Sequence, residues 1–403
     1  KKAFEFSEKF DTPVILRLTT RVAHSRSLTE LSERADVPVK EYVKNPQKYV
    51  MMPANAIPKH VVVEDRISKQ IEFFETDDIN TVEYYDKKIG VITAGNCYNY
   101  AKEVLGKNAS YLKLGCVYPL PEKKIIDFAN ECETIYVIEE LDPYIENHCK
   151  KLGIKVHGKD VFTLQGEYSQ ALVAKAILGE TKEFDGVSFD IPRRPPVLCA
   201  GCPHRGLFYA LKQEKVTVSG DIGCYTLGAL QPLDSIDTVI CMGASVSALH
   251  GRNKVDPENA KKSVAVIGDS TFIHSGVTSL IDIAYNNSAS TVIVLDNSIT
   301  GMTGHQQNPT TGKTIKGDPA TQVDIVALAH AIGIKRVKIV DPYNLKETRD
   351  TIHEELAVDE PSLIISRRPC ALLKTVKHNP PLKVNKDKCK SCKMCMKIGC
   401  PAI

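Results

Sequence analysis

Short apolar runs alternate with longer amphipathic stretches through the second half of the chain. Seven of these runs are rich in β-branched residues, and helical patterns separate many of them. Continuous apolar strands that alternate with helices are typical of a parallel sheet covered on both faces, in which a ligand binds at the carboxyl ends of the strands. We therefore predict an α/β fold with strands at residues 197–199, 216–218, 238–241, 264–267, 291–295, 337–340 and 363–366.

The middle of the chain repeats this pattern on a smaller scale. Strands are predicted at residues 90–94 and 134–138, and helices at 99–105 and 122–130. Because both strands are apolar and each lies next to an amphipathic helix, this region is predicted to form a compact α/β domain of its own.

Polar and proline-containing stretches separate the patterned regions. The stretch before the middle domain predicts an irregular linker with one helical piece near residues 46–49, and proline-rich runs at 191–196 and 379–381 predict two further boundaries. A helix is predicted at 2–10, and because the chain does not begin with Met we expect a fragment that lacks an N-terminal portion. The predicted domains are 1–25, 26–72 (the linker), 73–185, 195–371 and 380–403, the last a Lys- and Cys-rich tail.

Composition excludes several classes of protein. At about 150 residues per domain, a chain of 403 residues is expected to form two or three domains. Lys and Arg total 52 and Asp and Glu total 49, so the net charge of +3 argues against nucleic-acid binding through a large basic face. No run approaches the roughly 20 apolar residues of a membrane span, and no signal peptide is recognisable. We therefore expect a cytoplasmic protein that does not bind membranes.

The 13 cysteines fall into two classes. Some are close in sequence, namely Cys199 with Cys202 and the four cysteines of the tail. An odd total without a secretion signal argues against a disulfide framework and favours a reducing compartment. The remaining seven are isolated, and we expect most of them to be small buried thiols: Cys97, Cys116, Cys132, Cys149, Cys224, Cys241 and Cys370.

The tail cysteines form the strongest local signal. Their spacing, C-x2-C-x2-C-x4-C, has a last gap one residue longer than that of the bacterial ferredoxin run. We predict that Cys389, Cys392 and Cys395 bind one 4Fe–4S cluster and Cys400 another, with a zinc knuckle or non-ligating thiols as alternatives. The second cysteine run that would complete the first cluster is not in this sequence, and the tail has few long apolar residues. We therefore expect the isolated tail to be disordered or metal-free.

Polar side chains follow two predicted neighbouring strands where each strand ends. Asp269 follows one of them and Asn297 the other, and carboxylate and amide oxygens from adjacent loops suit Mg²⁺. Ser270 and Thr271 lead towards a helix predicted at 276–285, whose N-terminus can bind an anion. The sequence thus predicts a magnesium–diphosphate site. The alternative is that Asp269 caps a helix and Asn297 fills a turn.

Three histidines lie in predicted loops at the rim of this site. A neutral histidine can donate or accept a proton near pH 7. We predict that His204 and His274 are catalytic, with His305 as a third candidate. The alternative for each is a hydrogen bond to a backbone carbonyl and no further role.

The spacing of the predicted ligands resembles the thiamine diphosphate motif. That motif runs G-D-G, a spacer and then N-N, whereas this chain has G-D-S at 268–270, 26 residues, and then N-S at 297–298. The resemblance implies that Mg²⁺ is held by Asp269, Asn297 and the backbone carbonyl of Ile299.

Longer motifs indicate which family of thiamine diphosphate enzymes the chain resembles. They are C-A-G-C-P-H-R (199–205), G-D-I-G-C-Y-T-L-G (220–228), C-M-G-A-S (241–245), G-D-S-T-F-I-H-S-G (268–276) and T-G-M-T-G-H-Q (300–306). With the opening P-V-I-L-R-L-T-T-R-V-A-H-S, they make nearly the whole chain similar to the alpha subunits of indolepyruvate ferredoxin oxidoreductase. The resemblance implies, in chain order, the end of a pyrimidine-binding domain, a transketolase-C-terminal-like domain, a diphosphate-binding domain and the start of a ferredoxin-like module.

The resemblance also implies which residues contact the cofactor. A zinc site at Cys199 and Cys202 is the alternative for the first loop. The implied cofactor-binding residues are Cys199, Gly201, Cys202, Pro203, Asp221, Gly223, Cys224, Gly243, Ser245, Gly268, Ser270, Thr271, Thr300 and Met302.

The function implied by the resemblance is oxidative decarboxylation of an arylpyruvate. Coenzyme A would accept the acyl group and ferredoxin the electrons, with thiamine diphosphate, Mg²⁺ and 4Fe–4S clusters as cofactors and a small beta subunit in a hetero-oligomer. The glutamate that activates the cofactor's aminopyrimidine is expected outside this chain. Three alternatives remain: another 2-oxo acid ferredoxin oxidoreductase, a non-oxidative decarboxylase, and an electron-transfer or scaffold subunit with a vestigial thiamine site.

Overall fold

The computed structural model describes residues 1–34, 36–181, 191–192, 194–380 and 383–403. The chain divides into two compact units, residues 1–189 and 190–403. Parts of the predicted boundaries, namely residues 182–185, Arg193 and Pro381, lie outside the described residues, and the predicted domain limits stay predictions. Within the described residues, no helix has the length and apolarity that crossing a membrane requires.

A four-stranded sheet lies at the centre of the first unit. Its strands are β1 (Thr81–Glu83), β2 (Ile89–Ala94), β3 (Ser110–Leu114) and β4 (Thr134–Ile138). They lie in the order β1-β3-β2-β4, with β1 antiparallel to β3 and the other pairs parallel. The predicted strands at 90–94 and 134–138 are thus confirmed, whereas β1 and β3 were not predicted.

Helices cover both faces of this sheet. One apolar core packs the strands against α6 and α7, and a second packs them against α5 and α8. This arrangement is the α/β domain that the sequence predicts. The helices of the unit are α1 (Lys2–Phe10), α2 (Thr20–His24), α3 (Pro46–Tyr49), α4 (Pro53–Thr76), α5 (Asn96–Leu105), α6 (Glu122–Asn130), α7 (Tyr144–Lys151) and α8 (Gln170–Leu178).

The predicted irregular linker is wrong for much of its length. Its helical piece at 46–49 is present as α3, but the 24-residue helix α4 begins soon after it. Proline opens α4 at Pro53, where the absent N–H costs nothing, and Pro58 follows within the first two turns. The signal missed was the apolar spacing of Val63, Ile67 and Phe74, which lie on the half-buried face of the helix.

The second unit is built on a six-stranded parallel sheet. Its strands are β5 (Thr217–Gly220), β6 (Thr238–Val239), β7 (Ser263–Gly268), β8 (Thr291–Asp296), β9 (Arg336–Val340) and β10 (Ser362–Arg367). They lie in the order β6-β5-β7-β8-β10-β9, and every neighbouring pair is parallel. Six of the seven predicted strands are therefore confirmed.

The central strands of this sheet are apolar on both sides because both sides are covered. Val264 and Val266 of β7 face a core formed with α9 and α14, whereas Ala265 and Ile267 face a core formed with α10, α12 and α13. The helices are α9 (His204–Glu214), α10 (Ala244–Val255), α11 (Asp269–Thr271), α12 (Val277–Tyr285), α13 (Ile325–Ile332) and α14 (Leu345–Leu356); a π-helical turn spans Phe272–Gly276, and 3₁₀ turns span Cys224–Ala229, Pro257–Lys262 and Met394–Ile398.

The strand predicted at residues 197–199 does not form. The carbonyl oxygens of Leu198 and Cys199 accept hydrogen bonds from the Arg205 side chain instead of a neighbouring strand. An apolar run alone therefore gave the wrong secondary structure here, because a side chain seven residues away satisfies the backbone.

Most of the isolated cysteines are less buried than predicted. Cys97 and Cys149 are buried in the first unit, and burial raises the pKa of each thiol to about 12. The other five are half-buried or, for Cys241, exposed. The expectation of small buried thiols therefore holds for only two of the seven. Cys241 and Cys370 lie in loops and Cys224 begins a 3₁₀ turn, all near the carboxyl ends of the parallel strands, where side chains are accessible.

Candidate functional site

The order of the parallel strands marks one crevice in the second unit. From β5 the chain passes to β6 on one side and then to β7 on the other, so the direction of winding reverses between β5 and β7. Ligands of open parallel sheets bind at such a reversal, outside the carboxyl ends of the strands. Asp221 directly follows β5 and Asp269 directly follows β7, which places two predicted residues at this crevice.

The helical backbone after β7 begins earlier than predicted. It starts at Asp269 with α11, continues through the π-helical turn and reaches Tyr285 as α12, so the N-terminus lies at Asp269 instead of residue 276. Within the turn, Ser275 Oγ donates a hydrogen bond to the Thr271 carbonyl at 3.2 Å. The N–H groups of the first turn, which lack helical acceptors, are therefore at the predicted diphosphate loop itself.

Asp269 is a buried carboxylate with one unsatisfied oxygen. Its side chain is 3% exposed, and Oδ1 accepts a hydrogen bond from the Ser270 N–H at 2.6 Å. Among the residues that the structure describes, Oδ2 has no hydrogen-bond partner. Burial, with a smaller contribution from the nearby Asp296 carboxylate, raises the pKa of this carboxyl to about 7. An unsatisfied buried oxygen of this kind is suited to a cation.

The turn after β8 presents the second predicted ligand. Asn297 is buried, and its Oδ1 accepts only a long hydrogen bond of 3.4 Å from the Ile299 N–H. Ser298 between them has φ of +58°, a left-handed conformation that is costly outside glycine. Strained backbone of this kind is common at binding sites. The Asn297 amide therefore has hydrogen-bonding or ligating capacity left over.

Asp221 is saturated by its own loops. Its Oδ2 accepts hydrogen bonds from the Gly243 N–H at 2.8 Å and the Ser245 hydroxyl at 3.1 Å, and Oδ1 accepts from the Ile222 N–H at 2.7 Å. The side chain is fully buried. The contacts fix the loop after β6 against the loop after β5, so this predicted cofactor residue positions Gly243 and Ser245. A direct contact with the cofactor stays a prediction.

Glycines at the crevice make room for side chains. A Cβ on Gly243, whose φ is +90°, would lie 2.2 Å from Ser275 Oγ. A Cβ on Gly268 would lie 2.6 Å from the ring of Tyr225, and one on Gly223 would lie 2.4 Å from the same ring. The Tyr225 hydroxyl donates to the Ile222 carbonyl at 3.0 Å. Tyr225 therefore fills the space between the two aspartate loops, a role that the sequence did not reveal.

The loop after Asn297 is held by its own hydrogen bonds. Thr300 and Gln306 form an isolated antiparallel bridge, and Asn308 Nδ2 donates to Thr300 Oγ1 at 3.2 Å. Met302, at the tip of the loop, is 55% exposed. Thr300 is thus fixed near the turn that carries Asn297, whereas Met302 is exposed and its predicted contact with the cofactor stays a prediction.

The first predicted cofactor loop brings thiols together. Cys199 is exposed and Cys202 half-buried, and burial raises the pKa of the Cys202 thiol to about 12. The thiols of Cys199 and Cys370 lie near Cys224 and raise its pKa in addition to burial. Gly201 accepts a hydrogen bond on its carbonyl from the Tyr343 hydroxyl at 2.6 Å. Pro203 is buried at the start of α9.

The histidines differ in position and exposure. His204 lies in α9 and not in the predicted loop; it is 5% exposed, packs edge-on against Tyr225, and burial lowers its pKa to about 4. His274 lies in the π-helical turn, again not in a loop, and is exposed. His305 lies in a loop as predicted, with Nε2 3.9 Å from Cys370 Sγ. Catalytic roles for all three stay predictions.

The cysteine tail, which we define as residues 383–403, is accessible but not gathered around a metal site. Cys389, Cys392 and Cys395 are exposed and Cys400 is half-buried. In the described part of the chain, no three His, Cys, Asp or Glu side chains form a group that could hold a metal ion. The thiol chemistry suits iron, but this arrangement does not form the site, so cluster binding stays a prediction.

The residues at the crevice fit a metal-bound diphosphate. The unsatisfied Oδ2 of Asp269 and the spare amide oxygen of Asn297 are hard oxygen donors of the kind that Mg²⁺ takes. The helical N-terminus at Asp269 and the N–H groups of the glycine-containing loops offer donors to phosphate oxygens. Asp269 and Asn297 lie at the carboxyl edge of the sheet, where the sequence places them, and their roles as ligands stay predictions. The packing roles of Tyr225, which lies within the 220–228 motif, and of Asn308 were not predicted.

Comparison with known protein families agrees with this geometry. Residues 221–366 match the family described as thiamine pyrophosphate enzyme, C-terminal TPP binding domain. The match begins at Asp221, directly after β5, and ends on β10, so it covers the crevice and every strand of the parallel sheet except β5.

Curated relatives align with the whole chain. The chain is 39% identical to indolepyruvate oxidoreductase subunit IorA of Pyrococcus horikoshii, with 100% of this chain and 70% of the relative covered. For IorA of Archaeoglobus fulgidus the identity is 35%, with 100% and 69% covered. A solved structure of 2-oxoglutarate:ferredoxin oxidoreductase from Magnetococcus marinus is 19% identical over 44% of this chain and 66% of that chain, with a TM-score of 0.39.

Proposed function

The chain belongs to the indolepyruvate oxidoreductase IorA family, and on this premise we propose that it catalyses, as one subunit, the oxidative decarboxylation of arylpyruvates such as indolepyruvate. The coarser function is that of a thiamine diphosphate-dependent 2-oxo acid oxidoreductase. The proposed products are the aryl-acetyl-coenzyme A and CO₂, with two electrons passed to ferredoxin. The observation that carries the proposal is the unsatisfied Asp269 carboxylate beside Asn297 at the strand-reversal crevice.

We propose that Asp269, Asn297 and the Ile299 carbonyl hold Mg²⁺, and that the Ser270 and Thr271 backbone helps to bind the diphosphate. Thiamine diphosphate supplies a carbanion that adds to the 2-oxo group and takes up the electrons released when CO₂ leaves. Asp221 keeps the loops on the other side of the crevice in place through Gly243 and Ser245. We propose that His274 and His305, both exposed at the rim, take part in proton transfer during the reaction.

The partners of the reaction are also part of the proposal. The name IorA denotes one subunit of an enzyme, which supports a hetero-oligomer with a small second subunit. Coenzyme A as acyl acceptor, ferredoxin as electron acceptor, and 4Fe–4S clusters on Cys389, Cys392, Cys395 and Cys400 follow from the predicted function. Replacing Cys392 with Ser in the complete enzyme is expected to lower iron content and ferredoxin reduction while cofactor binding persists.

The second candidate function is the same oxidative decarboxylation with another 2-oxo acid as the substrate in place of the arylpyruvate. The chain is 29% identical to 2-oxoglutarate synthase subunit KorB of Archaeoglobus fulgidus over 177 residues, 40% of this chain. A module common to both supports the reaction type and does not select the substrate. Only 6% of the residues are aromatic and none is Trp, so an aromatic clamp for an indole ring is not evident in the sequence.

The test is a comparison of substrates on the complete enzyme with its partner subunit. Indolepyruvate, phenylpyruvate, pyruvate and 2-oxoglutarate are each supplied with coenzyme A and ferredoxin, and ferredoxin reduction is followed by absorbance. We expect the highest kcat/KM for the two arylpyruvates. Preference for 2-oxoglutarate or pyruvate would assign the second candidate, and CO₂ release without ferredoxin reduction would identify a non-oxidative decarboxylase.

His204 and His274 are tested in the same assay. Replacement of His274 with Ala is expected to slow turnover about a hundredfold or more with the cofactor still bound, the scale of one general acid or base. The same loss is expected for His204→Ala. Full activity of both variants would show that neither histidine moves a proton in the reaction.

A further inference from the structure

Arg205 in α9 is a buried cation whose hydrogen bonds go to backbone carbonyls. Its side chain is 5% exposed. Nε donates to the Cys199 carbonyl at 3.4 Å, and Nη2 donates to the Leu198 carbonyl. Nη1 donates to the Ile398 carbonyl at 3.3 Å and to the Gly399 carbonyl. One guanidinium therefore joins the Cys199–Cys202 loop to a segment almost 200 residues later in the chain.

The tail residue that Arg205 holds is a glycine for two reasons. Gly399 has φ of +68°, which only glycine adopts at low cost. A Cβ at this position would lie 2.6 Å from Pro232 Cδ and 3.2 Å from Arg205 Nη1. The tail backbone thus lies directly against Pro232 and Arg205 at this point, and a larger residue would push it away.

The burial of successive tail residues shows that the tail contacts the rest of the protein around Gly399. Residues 398–400 are half-buried, whereas residues 383–397 are exposed. The gap that remains between Arg205, Pro232 and Gly399 measures about 20 Å³, room for a single water molecule. Arg205 and Gly399 therefore hold the tail just before Cys400. The expectation that the isolated tail is disordered or metal-free stays a prediction.

We propose that Arg205 docks the cysteine tail onto the cofactor-binding unit and thereby fixes Cys400 next to the Cys199–Cys202 loop. The inference rests on the proposed function in treating the tail as the carrier of electrons from the crevice. Arg205 is in this sense a positioning residue, because it touches backbone carbonyls of two segments and not the substrate.

Arginine suits this role better than lysine. Its planar guanidinium presents several donors in a fixed fork, so it reaches both segments at once, whereas a lysine ammonium is a point charge on a flexible stem. Burial raises the pKa of the neighbouring Cys202 thiol to about 12, and the positive charge of Arg205 opposes that rise. The two properties can be separated, because Arg205→Lys keeps the charge and loses the fork.

The first test is amide hydrogen exchange on the complete enzyme. The tail amides of Met396 and Gly399 donate to carbonyls three residues earlier, at 3.1 and 2.9 Å, and report whether the tail is ordered. Arg205→Gln and Gly399→Ala are each expected to speed exchange at these amides by about tenfold to a hundredfold, the scale of lost charge-assisted hydrogen bonds. Arg252→Gln, an exposed arginine of α10, is the matched control and should change nothing.

The combination of variants separates docking from a purely local role of Arg205. If both residues act through one contact, the double variant should exchange no faster than the faster single variant. Arg205→Lys should regain less than half of the hydrogen-exchange protection of the tail amides that Arg205→Gln loses. Unchanged exchange at the tail amides after Arg205→Gln would show that Arg205 only stabilises the Cys199–Cys202 loop and would overturn the proposal.

A second readout connects docking to the reaction. In Gly399→Ala, which leaves Arg205 and its hydrogen bonds to the Cys199–Cys202 loop in place, ferredoxin-dependent kcat is expected to fall about tenfold or more, while KM for the 2-oxo acid and affinity for thiamine diphosphate stay unchanged. An undiminished kcat with a freely exchanging tail would refute the functional role of docking. Absence of thiamine diphosphate binding in the unmodified enzyme would instead refute the proposed function and leave the exchange result standing.

Discussion

Two aspartates follow neighbouring parallel strands, and their surroundings differ. Asp221 after β5 has hydrogen bonds to both oxygens from Ile222, Gly243 and Ser245. Asp269 after β7 has a donor on one oxygen only, although it is almost as buried. A saturated buried carboxylate maintains the fold, whereas an unsatisfied one costs stability unless a ligand completes it. The difference distinguishes the residue that shapes the crevice from the residue that we propose as the metal ligand.

The largest expected effect is at Asp221. Asp221→Ala leaves the N–H groups of Ile222 and Gly243 and the Ser245 hydroxyl without acceptors, so the free energy of unfolding should fall by roughly 3–5 kcal/mol. Urea unfolding without added cofactor measures it. Asp359→Ala, at an exposed loop position, is the control and should change stability by less than about 0.5 kcal/mol. If Asp221→Ala lowers the free energy of unfolding no more than the control does, Asp221 does not maintain the fold and the contrast with Asp269 is lost.

His204 tests how firmly the space between the two aspartates is packed. Its pKa is lowered by burial to about 4, below the ordinary 6.5, so the unfolded chain binds more protons between these values. Stability should therefore be retained above pH 6.5 and lost as the pH falls towards 4, by up to about 3 kcal/mol. His204→Gln should remove that part of the slope in unfolding experiments across this range. An identical slope in both proteins would mean that His204 is not buried in solution.

Asp269→Asn should have the smallest effect on stability, and of opposite sign. Removing a charge that is buried without a partner is expected to raise the free energy of unfolding of the ligand-free protein at pH 7.5 by roughly 1–2 kcal/mol. The same urea experiment measures it. Destabilisation comparable to that of Asp221→Ala would show that the Asp269 carboxylate supports the fold.

The sequence predicted the parallel sheet because its strands are buried on both faces and so read as continuous apolar runs. Val264 to Ile267 is such a run, and the residues after it lie at the crevice as expected. The prediction from apolar runs was wrong at residues 197–199, where hydrogen bonds from the Arg205 side chain, and not a neighbouring strand, satisfy the backbone carbonyls. It also failed at α4, because two prolines conceal a regular apolar face.

The candidate site was predictable where residue type and position suffice. Asp269 and Asn297 follow apolar strands, and both lie at the carboxyl edge as expected. Whether a carboxylate is free or saturated depends on donors from distant loops, such as Gly243 for Asp221, and no local pattern encodes that. For the same reason the helical placement of His204 and the contact of Arg205 with Gly399 emerge only from the fold.

The most direct test of the central claim is calorimetric titration of the complete enzyme with thiamine diphosphate in the presence of Mg²⁺. The unmodified enzyme should bind, and Asp269→Asn should weaken binding by about a hundredfold or more because a charged metal ligand is lost. Asp359→Asn should bind like the unmodified enzyme. Unchanged affinity in a folded Asp269→Asn variant would contradict the assignment of Asp269 as the cofactor's metal ligand.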